Sequence, residues 1–424
     1  MGLGGVETHV LSIIELFHKD YDFYIAAKDG KLKNKFKLYS KEILNLDFYN
    51  QSFESIFRNS DMLTEFIKKN KIDIIHIHQY LPYYPVLLSH YTTGVPYVIT
   101  IHSFLFPEDN WKIAWGEDFV SFWNEIVFER LKRVAFVGYE HKEYWTKEFS
   151  VLKKKSCVMP NLININNFKY TPSNNFKCFM ALRISADKKS QIDIAIKLID
   201  SIRKINNKAT LTVAGDGDLL SDYRTNTKNI KYIKFIGLRD NIEKIIMDYD
   251  IVFASGRTAI EAIASGKKVV LIGPFGLKGV INPKRFNNFS LVNFNGRNQE
   301  EVCEDDVAQE IGVISENEIR KNYEKLLKLL DTDKMKKIIN GLYDSFNKES
   351  KNISAYIQLR NQIYISYMFR QKIEEFNAKF NNISESELSI LYRKNKLFKV
   401  LILVTLIIAY FILIIFVYYA NWLI

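Results

Sequence analysis

Short unbroken apolar runs, each followed by a polar or helical stretch, recur along most of this chain and constrain its fold more than any other feature. "DFYIAA" (Asp22–Ala27), "IDIIHIH" (Ile72–His78), "YVITIH" (Tyr97–His102) and "RVAFVG" (Arg133–Gly138) form a first series. "KCFMALR" (Lys177–Arg183), "ATLTVAG" (Ala209–Gly215), "IKFIG" (Ile233–Gly237), "DIVFAS" (Asp250–Ser255) and "KKVVLIG" (Lys267–Gly273) form a second. A run without polar alternation suits a strand covered on both faces, and helices placed between such strands make parallel sheets. "SQIDIAIKLIDSIRKI" and "AIEAIASG" are two of the helices, the second ending at Gly266 as a C-cap. Between the series, "MPNLININNFKYTPSNNF" is rich in Asn and Pro and lacks periodicity, which marks a linker.

The expected class is therefore α/β, with two Rossmann-like doubly wound domains over residues 1–160 and 176–345, joined by a linker at 161–175. A chain of 424 residues with 47% hydrophobic content holds two such cores. A charged helical neck follows over 346–399. The run "VLILVTLIIAYFILIIFVYYA" at 400–420 contains no charge. As a helix it spans roughly 32 Å, close to the hydrocarbon thickness of a bilayer. Arg393, Lys394, Lys396 and Lys399 precede it, and Tyr418, Tyr419 and Trp422 stand where an aromatic belt lies. The expectation is a single-pass C-terminal membrane anchor with the preceding domains on the cytoplasmic side.

The net charge of +11 comes from scattered lysines, with no arginine-rich tract or nucleic-acid module, so no nucleic-acid partner is expected. Cys157, Cys178 and Cys303 are far apart and form no CxxC pair, which reads as free thiols in a reducing compartment. "KLKNKFKLY" (Lys31–Tyr39) reads as an edge strand protected by lysines in preference to a surface for anionic lipid. His76 and His78 fall within one apparent strand and are expected on opposite faces, a poor set for one metal ion.

At the N-terminus Gly2, Gly4 and Gly5 run straight into a helical pattern, the way α/β proteins bring a phosphate to a helix N-terminus. "GGVETHV", "IHIH" with "VITIHS", "PN", "ALRISADKK", "VAGDGD", "FIGLRDNI" and "AIEAIASGKKVV" then occur in one order over about residues 2–345. That order resembles the GT-B nucleotide-sugar glycosyltransferases of the large retaining group called family 4. The resemblance implies transfer of a sugar from a nucleotide-sugar donor, with retention and without a metal or other cofactor. A strand precedes the glycine turn in that family, and here only Met1 does. Either translation starts upstream, the reading preferred, or the first sheet lacks a central strand.

The residues agree with the resemblance. Arg183 and Lys188 follow a strand's C-terminal end, the edge where doubly wound sheets bind ligands, and two cations there suit a diphosphate. The resemblance gives both to the donor pyrophosphate, and gives Glu261, taken to lie at the start of a helix, to the hydroxyls of the ribose. It places His102 beside the transferred sugar, with Glu7 and His78 as further candidates on the acceptor side. Gly4, Gly5, Gly215, Gly237 and Gly276 are its donor-side glycines.

The family's common pair of glutamates is incomplete, because the position eight before Glu261 is Phe253. "GPFGLKG" (Gly273–Gly279) is a candidate source of backbone N–H groups in place of the first. "DGD" (Asp216–Asp218) and "DYD" (Asp248–Asp250) look like metal-binding DxD motifs and are discounted, since cations and helix dipoles already face the diphosphate. The sequons at Asn352 and Asn382 are idle if the domain is cytoplasmic. The anchor suggests a lipid-linked or surface-polysaccharide acceptor, which the aromatic stretch Phe104–Trp123 is placed to meet. The alternatives are a catalytically degenerate glycosyltransferase-like protein that binds a nucleotide or a partner, and a nucleotide-sugar epimerase.

Overall fold

The computed structural model describes residues 1–381 except 3, 79–81, 103–122, 129, 174 and 345–347. Parallel strands alternate with helices in two successive sets. In the first, β1 (Tyr24–Ala27) pairs only with β2 (Glu42–Asn45) among the described residues. A separate sheet holds β3 (Ile75–Ile77), β4 (Tyr97–Ile101), β5 (Val134–Phe136) and β6 (Ser156–Val158) in that order, all parallel. No described strand joins the two sheets, and β1 and β3 each keep one unpaired edge.

Helices of this half follow from their caps and patterns. α1 (Gly5–Phe17) starts at Gly4 in extended backbone and buries His9, Ser12, Ile13, Ile14 and Phe17 on one face. α2 (Phe53–Lys69) starts at Ser52, whose hydroxyl accepts from the Ser55 N–H at 3.2 Å. α3 (Tyr83–Thr93) ends at Gly94 with φ +74°, where a side chain would meet the Glu349 carbonyl at 2.0 Å. Only glycine fits there, because the segment after the second domain returns to this point: the Glu349 N–H donates to the Gly94 carbonyl and the Asn352 N–H to the Tyr91 carbonyl. α4 (Tyr139–Glu148) follows β5.

The second set is one continuous six-stranded sheet. Its order is β12–β11–β10–β7–β8–β9, from β7 (Lys177–Ala181), β8 (Thr210–Ala214), β9 (Ile233–Gly237), β10 (Ile251–Ala254), β11 (Lys268–Gly273) and β12 (Gly276–Val280). All pairs are parallel except the hairpin β11–β12. α5 (Lys189–Ile205), α6 (Gly256–Ala264), α7 (Glu304–Val313) and α8 (Glu316–Leu329) cover it, α8 starting with a capping box between Ser315 and Glu318. Phe179, Leu211, Val252, Phe253, Val270 and Leu271 are fully buried. Each contributes about 1.5–3 kcal/mol relative to exposure.

α9 (Thr332–Tyr343) reaches back to the first half. Tyr21 donates to Asn340 at 2.6 Å, Lys336 pairs with Asp20 at 2.5 Å, and the Tyr21 and Tyr343 rings meet edge to face. Met1–Ile357 thus form one compact unit, and the chain from Gln358 a second, of which α10 (Ile353–Asn381) is described as far as it goes.

Several sequence expectations change. Lys31–Tyr39 is not an edge strand: Lys33–Lys37 is a short helix that buries Phe36, so the lysines are its solvent face. Strands β2, β6 and β12 were missed; β2 and β6 are four and three residues long, and β12 is the glycine-bearing arm of a hairpin. The anchor at 400–420 and most of Phe104–Trp123 lie outside the described residues. Among the described residues no helix is long and apolar enough to cross a membrane.

Candidate functional site

The C-terminal ends of β3 and β4 bring histidines together. His78 and His102 each stand one residue past a strand end, and His9 rises from α1 between them and the linker. The His78 and His102 rings are linked Nδ1 to Nε2 at 3.3 Å. The His9 ring lies 5.0 Å from that of His102 and 5.9 Å from that of His78. His76 joins them, with its ring 4.0 Å from that of His78. The expected opposite-face arrangement therefore fails, because residues two apart along an extended chain share a face, and His76 and His78 do so. His76 is held at both nitrogens, by the Tyr343 hydroxyl and the Thr100 hydroxyl, each at 2.7 Å.

Burial dominates the electrostatics here. It pushes His76 and His102 down to about 3, helped by the neighbouring His102 for the first and His141 for the second. Burial, then the neighbouring imidazoles, holds His9 and His78 well below the ordinary histidine value. Four neutral imidazoles therefore line this end, able to hydrogen bond without carrying charge.

One nitrogen from each of His9, His78 and His102 lies within 4.8 Å of the other two, a set that by residue type suits zinc. The linker opposes that use. The Leu162 N–H donates to His9 Nδ1 at 3.3 Å, so the neutral His9 ring carries its proton on Nε2. The nitrogen that His9 has left to offer is thus an N–H and not a lone pair.

The loop after β7 is exposed and charged. Arg183 follows β7 with its guanidinium 68% exposed, bonded to the Ser185 hydroxyl at 3.1 Å and to Asp187 at 3.2 Å. Lys188 approaches the same carboxylate at 4.0 Å. Asp187, which the sequence reading passed over, holds both cations together, and the Ser185 hydrogen bond and the cations keep its carboxyl below the usual range. Gly215 has φ +154°, and a side chain there would stand 1.8 Å from the Leu182 carbonyl, so this glycine lets the ends of β7 and β8 close up. Gly237 ends β9 with φ +74°. Gly276 opens β12 with φ +91° beside the Glu301 carboxylate, and the Arg297 guanidinium lies over Phe275.

Glu261 sits inside α6 and not at its start, so no helix-terminus effect accounts for it. Its partner is Arg257, one turn earlier, at 2.7 Å. Arg257 also bonds the Leu162 carbonyl and, at 3.0 Å, the Ser12 hydroxyl of α1. Burial raises the Glu261 carboxyl above its ordinary value, and Arg257 opposes that shift. Phe253 is fully buried within β10, so that position belongs to the core and not to the cleft.

Gly4 caps α1 and Gly5 begins it, while the Glu7 carboxylate lies over Gly4, 2.5 Å from where a side chain there would start. Asp250 accepts the Lys177 N–H at 2.9 Å and Asp216 the Gly217 N–H at 2.9 Å, structural uses for both DxD look-alikes.

Sequence reasoning missed the residues at the junction of the two halves. His9, Arg257, the pair Glu140–Arg297 at 2.8 Å, and Asn161 donating to Asn293 at 3.0 Å all bridge elements far apart in the chain. His9 carried a signal: it is one turn beyond Gly5 and on the same helix face as Ser12 and Ile13. Arg257 carried only its i,i+4 spacing to Glu261.

Residues 3–167 match the family model described as Glycosyltransferase Family 4. No curated protein matches the chain. Among solved structures, HepE of Anabaena in complex with UDP and glucose is similar at 17% identity and TM-score 0.59, over 81% of this chain and 96% of that one. A glycosyltransferase of Rickettsia africae is similar at 18% identity and TM-score 0.54, over 87% and 97%. The lipopolysaccharide outer core galactosyltransferase WaaB, in its apo form, is similar at 13% identity and TM-score 0.52, over 81% and 97%. At these identities the structures speak for the fold, which is GT-B. With the family match over residues 3–167, they bear out the resemblance read from the motifs as far as the GT-B architecture.

Proposed function

We propose that the chain transfers a hexose from a nucleoside-diphosphate donor to a glycan or lipid-linked acceptor, with retention at the anomeric carbon. One observation supports this reading: two cations, Arg183 and Lys188, lie together in the loop at the C-terminal end of β7, a charge pair that suits a diphosphate. A uridine diphosphate donor is favoured, since HepE is solved with UDP-glucose.

In this reading the bond between C1 and the diphosphate oxygen breaks, and the acceptor hydroxyl bonds C1 on the face being vacated. Its proton goes to the departing diphosphate. Arg183 and Lys188 hold the negative charge that develops, and Glu261, steadied by Arg257, takes the ribose hydroxyls. His102 stands beside the sugar. No step calls on a metal. The apolar run at 400–420 and its basic flank support a membrane helix that keeps the domains on the cytoplasmic side, close to such an acceptor.

Release of nucleoside diphosphate from UDP- and GDP-hexoses in the presence of membrane lipid extract tests the reading. Arg183→Ala is expected to lower turnover on the order of 10²–10³-fold. Unchanged turnover in that variant would remove Arg183 from the chemistry and the reading with it.

A further inference from the structure

His9 is fully buried, and its Nε2 has no hydrogen-bond partner among the described residues. A buried donor left unsatisfied is costly, so its retention needs a reason. The Leu162 N–H fixes which nitrogen is the donor, as described above. The His78–His102 contact uses one N–H and one lone pair between two neutral rings. Nitrogens mutually within 4.8 Å share a central point about 2.8 Å or less from each, the length of an ordinary hydrogen bond.

We propose that His9, His78 and His102 together bind one hydroxyl of a sugar ring, with His9 Nε2–H as the donor that the hydroxyl oxygen accepts. A hydroxyl both accepts and donates, which matches an N–H beside a second ring carrying a lone pair. A phosphate or carboxylate oxygen only accepts and would leave that lone pair unmatched, and the nearby Arg257 guanidinium is already bonded to Glu261, the Leu162 carbonyl and Ser12. The proposal rests on the glycosyltransferase reading and deepens it by naming a positioning residue that sets preference for the sugar.

The test compares His9→Gln with His9→Asn by calorimetry. Gln keeps a donor at the place of Nε2, and Asn keeps an acceptor for the Leu162 N–H. UDP alone is titrated first. UDP-glucose, UDP-galactose and UDP-N-acetylglucosamine form the donor arm, and methyl glucosides in the presence of UDP the acceptor arm.

His9→Asn is expected to weaken sugar binding about tenfold in one of the arms, which identifies the source of the hydroxyl, and to leave UDP within about twofold. His9→Gln is expected to retain most of the sugar affinity. The reverse order, with Asn retaining binding and Gln losing it, would make His9 a prop for the linker and overturn the proposal. Unchanged sugar binding by both variants, or displacement of the Nε2 proton by added Zn²⁺ in ¹⁵N spectra, would also overturn it. Failure of the wild-type chain to bind UDP at all would instead overturn the donor reading on which it stands.

Discussion

The histidine cluster and the Arg183 loop are built on opposite principles. At the histidine end the groups are buried, neutral and held by neighbours from several elements: Tyr343 and Thr100 on His76, Leu162 on His9. In the Arg183 loop the groups are charged and more open to solvent, and among the described residues Arg183 is held by Asp187 and Ser185, within four residues of chain. The difference teaches where stability and where ligand charge reside. A buried neutral cluster discriminates by hydrogen-bond pattern and is costly to disturb. An exposed cationic loop contributes little to folding and is free to meet a diphosphate.

This contrast is most strained at Arg257, the cation that lies on the buried side. Its removal leaves Glu261 without its counter-charge, and the Leu162 carbonyl and Ser12 hydroxyl lose a donor. Arg257→Ala is expected to cost about 3–5 kcal/mol in urea unfolding. Adding Glu261→Gln is expected to recover part of that loss. Equal stability of Arg257→Ala and wild type would show that the junction is not held as described.

Next in size is the response to acid. His76 and His102 fall from 6.5 unfolded to about 3 folded, so between those values the unfolded chain binds more protons. Their stabilising contribution is whole above pH 6.5 and is lost as pH falls toward 3, at about 1.4 kcal/mol per unit per histidine. At pH 5 the expected loss is about 2 kcal/mol for each. His76→Phe is expected to flatten the slope by one histidine's share, and a slope unaltered by that change would contradict the buried, neutral cluster.

Much of the second domain was legible in the sequence. Most residues of its strands are buried, so they appear as largely apolar runs, and all five expected runs became β7 to β11 with ends shifted by no more than two residues. The first domain was less so. β2 and β6 are too short and too half-buried to stand out, and Lys31–Tyr39 alternates like a strand while folding as a helix around Phe36. In the site, Arg183 and Lys188 were readable because their chemistry sits within one loop. Asp187 between them was overlooked, and Glu261 was read without Arg257. His9 acquires its meaning only from Leu162, whose N–H arrives from 153 residues away and fixes its tautomer. Contacts between distant segments leave no local pattern to read.

The smallest effect expected is on the resting stability of Arg183→Ala, within about 0.5 kcal/mol of wild type, because the guanidinium is exposed. That makes it the clean control for the most direct test of the account, thermal stabilisation of the detergent-solubilised chain by UDP, GDP, ADP and CMP. The account predicts that UDP raises the melting temperature of the wild-type chain and leaves that of Arg183→Ala unmoved. Stabilisation by none of the four, or equal stabilisation of both proteins, would contradict a nucleotide-sugar site built on Arg183.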